Sequence, residues 1–464
     1  MNTTFRAHLR QWLRPVRRPW RKAMRLHREG ELWPLLTGMT ARRLRLVFTP
    51  PKTVQVLDGN PVLTVAQCCQ LLRIAVPDEY RAERRLSVDQ TDLLNDVDNR
   101  VSVVMSMRSV RDRHHTYSLD NEAVFKPNRR DAKSFKRWYD AMPGQHSDVQ
   151  LLRWYARYKY GFAPAGFSAE NYITLRLYDT TLPQAQALFV TTRQAFHFTA
   201  YRDKAAIKYF NNKALFLSTF GAFVHRDWLD MRQAGLDEFL AFCQRHHEFV
   251  RKPLNQSQGL GIEVIVTPES PRDRVRLYRA LVRGRVLAEQ VIHQHPALAL
   301  VNESSLNTVR VHTVRRPTGD IDVVVAYVRF GRGGSPVDNF HSQGVAALID
   351  VATGVTTTGA SNLRGDYFER HPESGVELIG FQVPCWDKVR SMATAAAAVI
   401  PQMHQVGWDI AVTDEGEAEM VEGNSFPSLS TTLQILDCFR GNIKPLYEKY
   451  FDEFDNWAAT SRQG

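Results

Sequence analysis

The sequence predicts an α+β fold with antiparallel sheets over residues 201–464. Three observations support this prediction. Alternating apolar runs of strand length flank short turns, notably 317–320 (PTGD) and 414–416 (DEG). Stretches with helical spacing separate these strand pairs. The 464-residue chain is also long enough to bury a large core and to form two or three domains.

The composition excludes several classes of protein. The chain is 44% hydrophobic and 23% charged, as is usual for globular proteins. Its five cysteines are an odd number without a CxxC pair, which argues against a disulfide framework or a zinc ribbon and suits a reducing cytosol. We expect no signal peptide, because arginines recur every few residues at the N-terminus and no apolar core follows them. We also expect no membrane-spanning helix, because no apolar run reaches about 18 residues.

The positive charge is concentrated at the N-terminus. Residues 1–50 contain twelve Arg and Lys against two Glu, which accounts for most of the net charge of +11. Trp12, Trp20 and Trp33 are interleaved with these arginines, a pattern typical of segments that bind an anionic membrane surface. A solvated basic tail fits equally well. Nucleic-acid binding is disfavoured, because the rest of the chain is nearly neutral.

We divide the chain into three predicted regions. Residues 1–48 form a helical, basic, Trp-containing extension, and residues 49–200 form an α/β region without catalytic spacing. Residues 201–464 form the α+β region. Within residues 49–200, the segments 65–76 and 148–161 have helical spacing.

The α+β region is predicted element by element. Helices are expected at 205–223, 237–250, 271–284, 386–402 and 442–458. Strands are expected at 249–254, 262–268, 286–292, on both sides of turn 317–320, at 344–349, at 407–413 and at 417–424.

A candidate phosphate loop lies in "VRKPLNQSQGLGIEV". Lys252 ends a strand, and Ser257, Gly259 and Gly261 follow before the next strand begins. Glycine-rich turns let backbone N–H groups close around phosphate oxygens, and a lysine adds a positive charge. The motif is not a Walker loop, because GxxxxGK[ST] is absent. An ordinary hairpin is the alternative.

A candidate metal site lies in the last predicted hairpin. Glu422 and Asn424 are two residues apart on one strand and therefore share a face. Because the turn at 414–416 makes the strands antiparallel, we expect Asp409 to face Glu422. Two carboxylates and an amide oxygen are hard ligands suited to Mg²⁺. The alternative is a surface hairpin with polar ends.

Two arginines are candidates for stabilising the charge of a phosphate group. Thr308 and Arg310 share a face of one strand, and Arg329 lies on its partner strand. Arginines beside a phosphate site stabilise charge that develops during transfer. A structural ion pair is the alternative for either of them.

The order of these motifs resembles the ATP-grasp superfamily, and within it the sugar-transfer-associated ATP-grasp family. The resemblance covers roughly residues 200–450. It rests on the segments "NNKALF", "RKPLNQSQGLGI", "LAEQVI", "SLNTVRVHT", "YVRFGRGGSPVDN" and "GWDIAV…VEGN". It implies two α+β subdomains that grip ATP between antiparallel sheets.

The resemblance also implies roles for single residues. Lys213 and Lys252 correspond to the two nucleotide lysines, with Ser257, Gly259 and Gly261 as the phosphate loop. Glu289, Gln290, Val291 and Ile292 correspond to the hinge that receives adenine. Asp409, Glu422 and Asn424 correspond to the magnesium ligands, and Arg310 and Arg329 to residues that stabilise the transferred phosphate.

The implied activity is ADP-forming ligation that uses ATP and Mg²⁺. ATP phosphorylates a small carboxylate, and the acyl phosphate is attacked by an amine or hydroxyl of a sugar or polysaccharide precursor. Kinase-like phosphoryl transfer to a hydroxyl is the first alternative. A non-catalytic nucleotide-binding protein tethered by its basic tail is the second. The expected location is the cytoplasm, with residues 1–48 touching the inner membrane face.

Overall fold

The computed structural model describes residues 69–75 and 129–460, with gaps at 71, 143, 145–146, 164, 196, 255–260, 335–337, 339–343, 364 and 428. The predicted extension over residues 1–48 lies outside the described residues. Within the described ranges, every helix is too short or too polar to span a bilayer. The chain divides into two compact units, Met1–Lys136 with Gln145–Pro164, and Arg137–Gly144 with Ala165–Gly464.

The described part of the first unit is helical. It contains most of α1 (Arg129–Asp140) and all of α2 (Asp148–Arg157), which continues into one π-helical turn. The ring of Phe135 packs edge-on against Tyr155 at 5.4 Å and stacks on Tyr158 at 5.1 Å. The predicted helix within 148–161 is therefore confirmed.

The second unit contains two antiparallel sheets, which confirms the predicted fold class. The strands of the smaller sheet are β1 (Trp228–Asp230), β2 (Glu248–Pro253), β3 (Glu263–Val266) and β4 (Val286–Gln290). Their order is β1-β4-β2-β3, and every neighbouring pair is antiparallel.

In the part of the chain that the structure describes, the larger sheet has seven strands. They are β5 (Val309–Arg315), β6 (Ile321–Phe330), β7 (Val345–Ile349), β8 (Ala360–Ser361), β9 (Tyr367–Phe368), β10 (Gln405–Val412) and β11 (Ala418–Asn424). Their order is β11-β10-β5-β6-β7-β8-β9. The strands predicted from alternation are present, whereas the two-residue strands β8 and β9 are too short to show a pattern.

Helices cover these sheets. The α-helices of the second unit after α1 are α3 (Ala169–Thr174), α4 (Leu182–Leu188), α5 (Thr192–Ala195), α6 (Lys208–Asn211), α7 (Lys213–Thr219), α8 (Leu236–Arg245), α9 (Pro271–Gly284), α10 (Pro296–Val301), α11 (Trp386–Val399), α12 (Thr432–Leu436) and α13 (Ile443–Thr460). Helix α9 has both bounds predicted from the sequence. It begins with a proline, whose missing N–H would be unpaired there in any case.

The prediction of one helix over 205–223 is wrong. The segment forms α6 and α7, followed by a 3₁₀ turn. The break is at Asn212, which has extended backbone angles and whose side chain accepts a hydrogen bond from the backbone N–H of Leu215 at 3.2 Å. Asparagine favours this N-cap position over a helix interior, so Lys213 becomes the first residue of a new helix.

The described residues of the second unit pack into three hydrophobic cores. One face of the larger sheet packs on α11 and α7, through residues such as Trp408 and Val311. Its other face packs on α12 and α13, through residues such as Tyr327 and Leu348. The smaller sheet buries one face against α8 and α9, whereas Val264 and Val266 on its opposite face remain 49% and 61% exposed.

Candidate functional site

The hairpin of β10 and β11 carries the three predicted metal ligands. Its register pairs Asp409 with Glu422 and Gly407 with Asn424. The side-chain amide of Asn424 donates to Glu422 Oε1 at 3.3 Å. The expected pairing of Asp409 with Glu422 across the hairpin is therefore confirmed, and Asn424 lies beside them.

A glycine sets how closely this hairpin approaches its neighbours. A Cβ atom on Gly423 would lie 2.8 Å from the ring of Phe216 and 3.0 Å from that of Trp408. Phe216 belongs to α7, whose first residue is Lys213. The absence of a side chain between Glu422 and Asn424 thus lets β11 pack directly on the helix of the first predicted nucleotide lysine.

Asp409 is bound by both predicted arginines. Arg310 donates from Nε to Asp409 Oδ1 and from Nη2 to Oδ2, the latter at 2.8 Å. Arg329 Nη2 lies 3.1 Å from the same Oδ2. All three residues are buried. The structural ion pair considered from the sequence is therefore present, and the catalytic role of the two arginines stays a prediction.

Arg329 is also held from its other side. Its Nε donates to Thr308 Oγ1 at 3.0 Å and lies 3.3 Å from Asp338 Oδ2. The backbone N–H of Thr308 donates to that carboxylate oxygen at 2.9 Å. Two buried arginines and two buried carboxylates thus balance in charge. Asp338 was not predicted as a site residue, although its position after a glycine-rich loop in "GGSPVDN" is a signal that could have found it.

The two facing carboxylates have different pKa values. Burial raises the pKa of Asp409, but the guanidinium groups of Arg310 and Arg329 outweigh it and hold the pKa well below its usual range. Desolvation, followed by the negative charge of Asp409, raises the pKa of Glu422. Arg310 and Arg329 therefore stabilise the ionised form of Asp409 much more than that of Glu422.

The donor set fits a divalent cation. A carboxylate that faces a second carboxylate is stabilised when a cation lies between them. Asp409 accepts three arginine N–H contacts, and an ionised carboxylate has about four lone-pair positions. Within the described ranges, no three His, Cys, Asp or Glu side chains converge as a metal site on their own. Asn424 and phosphate oxygens would have to complete the ligand shell.

The second predicted lysine is anchored on the smaller sheet. Lys252 Nζ donates to Glu289 Oε2 at 2.8 Å, and the lysine side chain is 16% exposed. Glu289 is buried on β4, and the opposing charges of Lys252 and Arg226 outweigh its burial and lower its pKa to about 2. The sequence predicted neither this ion pair nor the role of Arg226.

The first predicted lysine is close to both groups of charges. Lys213 Nζ donates to the carbonyl oxygen of Pro253 at 2.8 Å, next to Lys252 in the chain. Desolvation lowers the pKa of Lys213, while the carboxylates of Glu422 and Glu289 oppose that shift and Lys252 adds to it. Lys213 therefore interacts electrostatically with the predicted metal strand and with the predicted phosphate lysine.

The remaining predicted nucleotide residues are only partly described. Ser257 and Gly259 lie outside the described residues, and Gly261 has a positive φ of 71° just before β3. The backbone N–H of Gln290 donates to the carbonyl of Asp227 at 2.8 Å, so this N–H is already paired. Val291 and Ile292 are half-buried and follow the end of β4.

Comparison with known proteins matches the same part of the chain. A family model described as sugar-transfer associated ATP-grasp matches residues 195–437, which is more than half of the chain. A search of curated proteins gave no match. The matched range includes every predicted site residue.

Several solved structures are similar to the chain. One is the ATP-grasp ligase PsnB complexed with a precursor peptide and AMPPNP, with 11% identity, a TM-score of 0.33 and coverage of 55% of this chain and 62% of that one. A second is the D-alanine-D-alanine ligase from Coxiella burnetii, with 13% identity, a TM-score of 0.33 and coverage of 56% and 63%. A third is N5-carboxyaminoimidazole synthetase from Staphylococcus aureus complexed with ADP, with 10% identity, a TM-score of 0.33 and coverage of 51% and 50%. The chain thus spans less than two thirds of the length of each of these proteins.

Proposed function

The chain belongs to the sugar-transfer-associated ATP-grasp family, and from this premise we propose that it is an ADP-forming ligase that uses ATP and Mg²⁺. Its substrates would be a small carboxylate, such as an amino acid, and an amine or hydroxyl of a sugar or polysaccharide precursor. The observation that carries the proposal is the position of Lys213, whose Nζ donates to the carbonyl oxygen of Pro253 beside Lys252 and whose helix packs against Gly423, between Glu422 and Asn424. Two lysines beside a pair of carboxylates suit a nucleotide triphosphate that arrives with a metal ion.

The proposed chemistry has two steps. In the first, a carboxylate oxygen attacks the γ-phosphorus of ATP, the bond to the β–γ bridging oxygen breaks, and ADP leaves. In the second, the acceptor nitrogen or oxygen attacks the carbonyl carbon of the acyl phosphate, inorganic phosphate leaves with the electron pair of the C–O bond, and the acceptor loses its proton. No protein nucleophile is needed, so positioning and charge stabilisation supply the acceleration.

Each predicted residue has a place in this proposal. Lys213 and Lys252 hold the phosphates, with Ser257, Gly259 and Gly261 closing over them. Glu289, Gln290, Val291 and Ile292 receive adenine. Arg310 and Arg329 keep the carboxylate of Asp409 oriented and add positive charge where the phosphoryl group is transferred. Asp409, Glu422 and Asn424 would hold Mg²⁺, which would supply positive charge to neutralise the phosphates when bound.

The products distinguish the competing functions. We expect release of ADP and free phosphate that depends on a carboxylate and an acceptor, found by screening amino acids against nucleotide sugars. Added hydroxylamine should trap the acyl phosphate as a hydroxamate. ADP with a phosphorylated product and no free phosphate would instead indicate a kinase, and absence of ADP with every acceptor would indicate a non-catalytic nucleotide-binding protein.

We also propose a location for the enzyme. The basic, Trp-containing residues 1–48 would hold it on the anionic inner face of a membrane from the cytoplasm, near a lipid-linked acceptor. Deleting residues 1–30 should release the protein from anionic vesicles, and raising the salt concentration should do the same to the full chain. Equal binding of the two chains would contradict this location.

A further inference from the structure

A single buried guanidinium connects the two sheets of the second unit. Arg226 lies two residues before β1, and its side chain is 3% exposed. Its Nε donates to Glu289 Oε2 on β4 at 2.7 Å, and its Nη1 donates to Glu419 Oε1 on β11 at 2.6 Å. One residue therefore joins the strand behind Lys252 to the strand that carries the predicted metal ligands.

The contacts at both ends involve groups that matter for the proposed reaction. Glu289 Oε2 accepts from Lys252 at 2.8 Å as well as from Arg226. On β11, Arg226 Nη1 also donates to the carbonyl of Met420 at 2.6 Å, and Nη2 donates to that of Val421 at 3.4 Å. Val421 immediately precedes Glu422. Arg226 thus binds the backbone just before the predicted metal ligand and the carboxylate that holds the predicted phosphate lysine.

The charges in this group are balanced. Arg226 and Lys252 face Glu289 and Glu419, and the side chains of the two glutamates are 3% and 4% exposed. Without Arg226, Glu289 would keep a single cationic partner and would attract Lys252 more strongly, because a buried unpaired charge is costly. A lysine drawn towards Glu289 is less available to a phosphate group.

We propose that Arg226 is a positioning residue for nucleotide binding, which shares the charge of Glu289 so that Lys252 can contact the phosphates of ATP. The same guanidinium keeps β11 in register with this lysine through Glu419 and two backbone carbonyls. This inference rests on the proposed function, because it requires that the chain bind ATP through Lys252. It assigns to Arg226 a larger effect on the phosphate part of the ligand, through Lys252, than on the adenosine part, for which Glu289 shares the contact with Gln290, Val291 and Ile292.

The test compares the wild type with Arg226→Gln, Glu289→Gln and the double variant. Binding of Mg²⁺–AMPPNP, a non-hydrolysable ATP analogue, is measured by calorimetry, with adenosine as the phosphate-free control. We expect Arg226→Gln to weaken AMPPNP binding about tenfold, as one charged contact is lost, while adenosine binding changes less than about twofold. In the Glu289→Gln background, the same change at Arg226 should weaken AMPPNP binding by less than about threefold, because the competing anion is gone.

Two other outcomes would overturn the inference. Equal loss of AMPPNP and adenosine binding would mean that Arg226 only supports the fold, and unchanged AMPPNP binding would mean that it has no role. If the wild type binds no AMPPNP, the proposed function fails, and the role of Arg226 fails with it. Failure of the proposed function thus shows in the wild type itself, whereas failure of the inference shows only in the Arg226 variants of a wild type that binds AMPPNP.

A conservative variant keeps the test decisive if Arg226→Gln does not fold. Arg226→Lys keeps the positive charge, but an ammonium cannot span Glu289, Glu419 and the β11 carbonyls as a planar guanidinium does. We expect it to bind AMPPNP at least about threefold more weakly than the wild type. Binding equal to that of the wild type would overturn the inference.

Discussion

The two sheets of the second unit hold their charged residues in different ways. In the larger sheet, which is covered on both faces, Arg310, Arg329 and Asp409 are buried and satisfy one another. In the smaller sheet, the face opposite helices α8 and α9 leaves Val264 and Val266 exposed, and Lys252 on that face is held by a single carboxylate oxygen. In the larger sheet these three charges are satisfied by one another, whereas the smaller sheet offers a lysine that can exchange its partner.

This difference predicts that substitutions in the two groups of charges affect different properties, namely stability and nucleotide binding. A buried network of paired charges tolerates the loss of a partner poorly, since the remaining charge cannot reach water. A partly exposed lysine can move from a carboxylate to a phosphate at a smaller cost. We therefore expect substitutions of Arg310, Arg329 or Asp409 to affect folding and turnover together, and substitutions at Lys252 to affect mainly nucleotide binding.

The largest effect is expected at Asp409. Asp409→Asn removes the anion between Arg310 and Arg329, and we expect it to lower the free energy of unfolding by about 3–5 kcal/mol. Glu422→Gln is the matched variant across the hairpin. Because Arg310 and Arg329 form their ion pairs with Asp409 and not with Glu422, this variant should keep the fold while abolishing Mg²⁺-dependent turnover.

Urea denaturation and an ADP-release assay measure the two effects. Glu415→Gln, on the turn of the same hairpin, serves as the surface control. If Asp409→Asn leaves stability unchanged, the contrast between the sheets does not hold. If Glu422→Gln retains Mg²⁺-dependent turnover, the metal assignment is wrong.

A smaller effect is expected at Lys252. Lys252→Ala should weaken ATP binding at least about tenfold, since a hydrogen bond to a charged group contributes roughly 1.5–3 kcal/mol. Arg251→Ala is the control on the preceding residue of β2, because Arg251 points to the opposite face, where it forms an ion pair with Glu263. Calorimetric titration with ATP should show a loss for Lys252→Ala alone, and equal affinities for both variants would contradict the role of Lys252.

The smallest effect concerns the pH dependence of stability. The pKa of Glu289 is lowered to about 2 in the folded chain, so the unfolded chain binds more protons as the pH falls below about 4.5. The stabilisation from this carboxylate is fully present above that pH and decreases as the pH falls towards 2. Between pH 6 and 3.5 we expect a loss of about 1 kcal/mol from this group.

Urea denaturation of the wild type and Glu289→Gln over this pH range isolates the contribution of Glu289. The difference in unfolding free energy between the two proteins should shrink as the pH falls. A difference that stays constant would mean that Glu289 is not held by its cationic partners.

Much of the larger sheet could be predicted from the sequence, because its strands alternate clearly and its hairpins have short turns. The pairing of Asp409 with Glu422 needs more than the turn, because the register next to the turn would place Asp409 opposite Val421. A β-bulge between Asp409 and Ile410 shifts the register by one residue, and no local pattern in the sequence predicted that bulge. The break at Asn212 was missed because apolar spacing continues through it, although asparagine before a helical run is an N-cap signal. The role of Arg226 could not have been predicted, because its partners lie 63 and 193 positions away and no local pattern encodes such contacts.

The close packing at Gly423 has a consequence for recognising related sequences. A chain that kept both metal-ligand positions but carried any side chain between them would have to displace either β11 or the ring of Phe216, which belongs to the helix that begins at Lys213. Such a chain would look intact by its charged residues and still lose the register between lysine and carboxylate. The glycine of Glu-Gly-Asn is therefore a diagnostic position for separating chains that can close this site from those that have only inherited its charges.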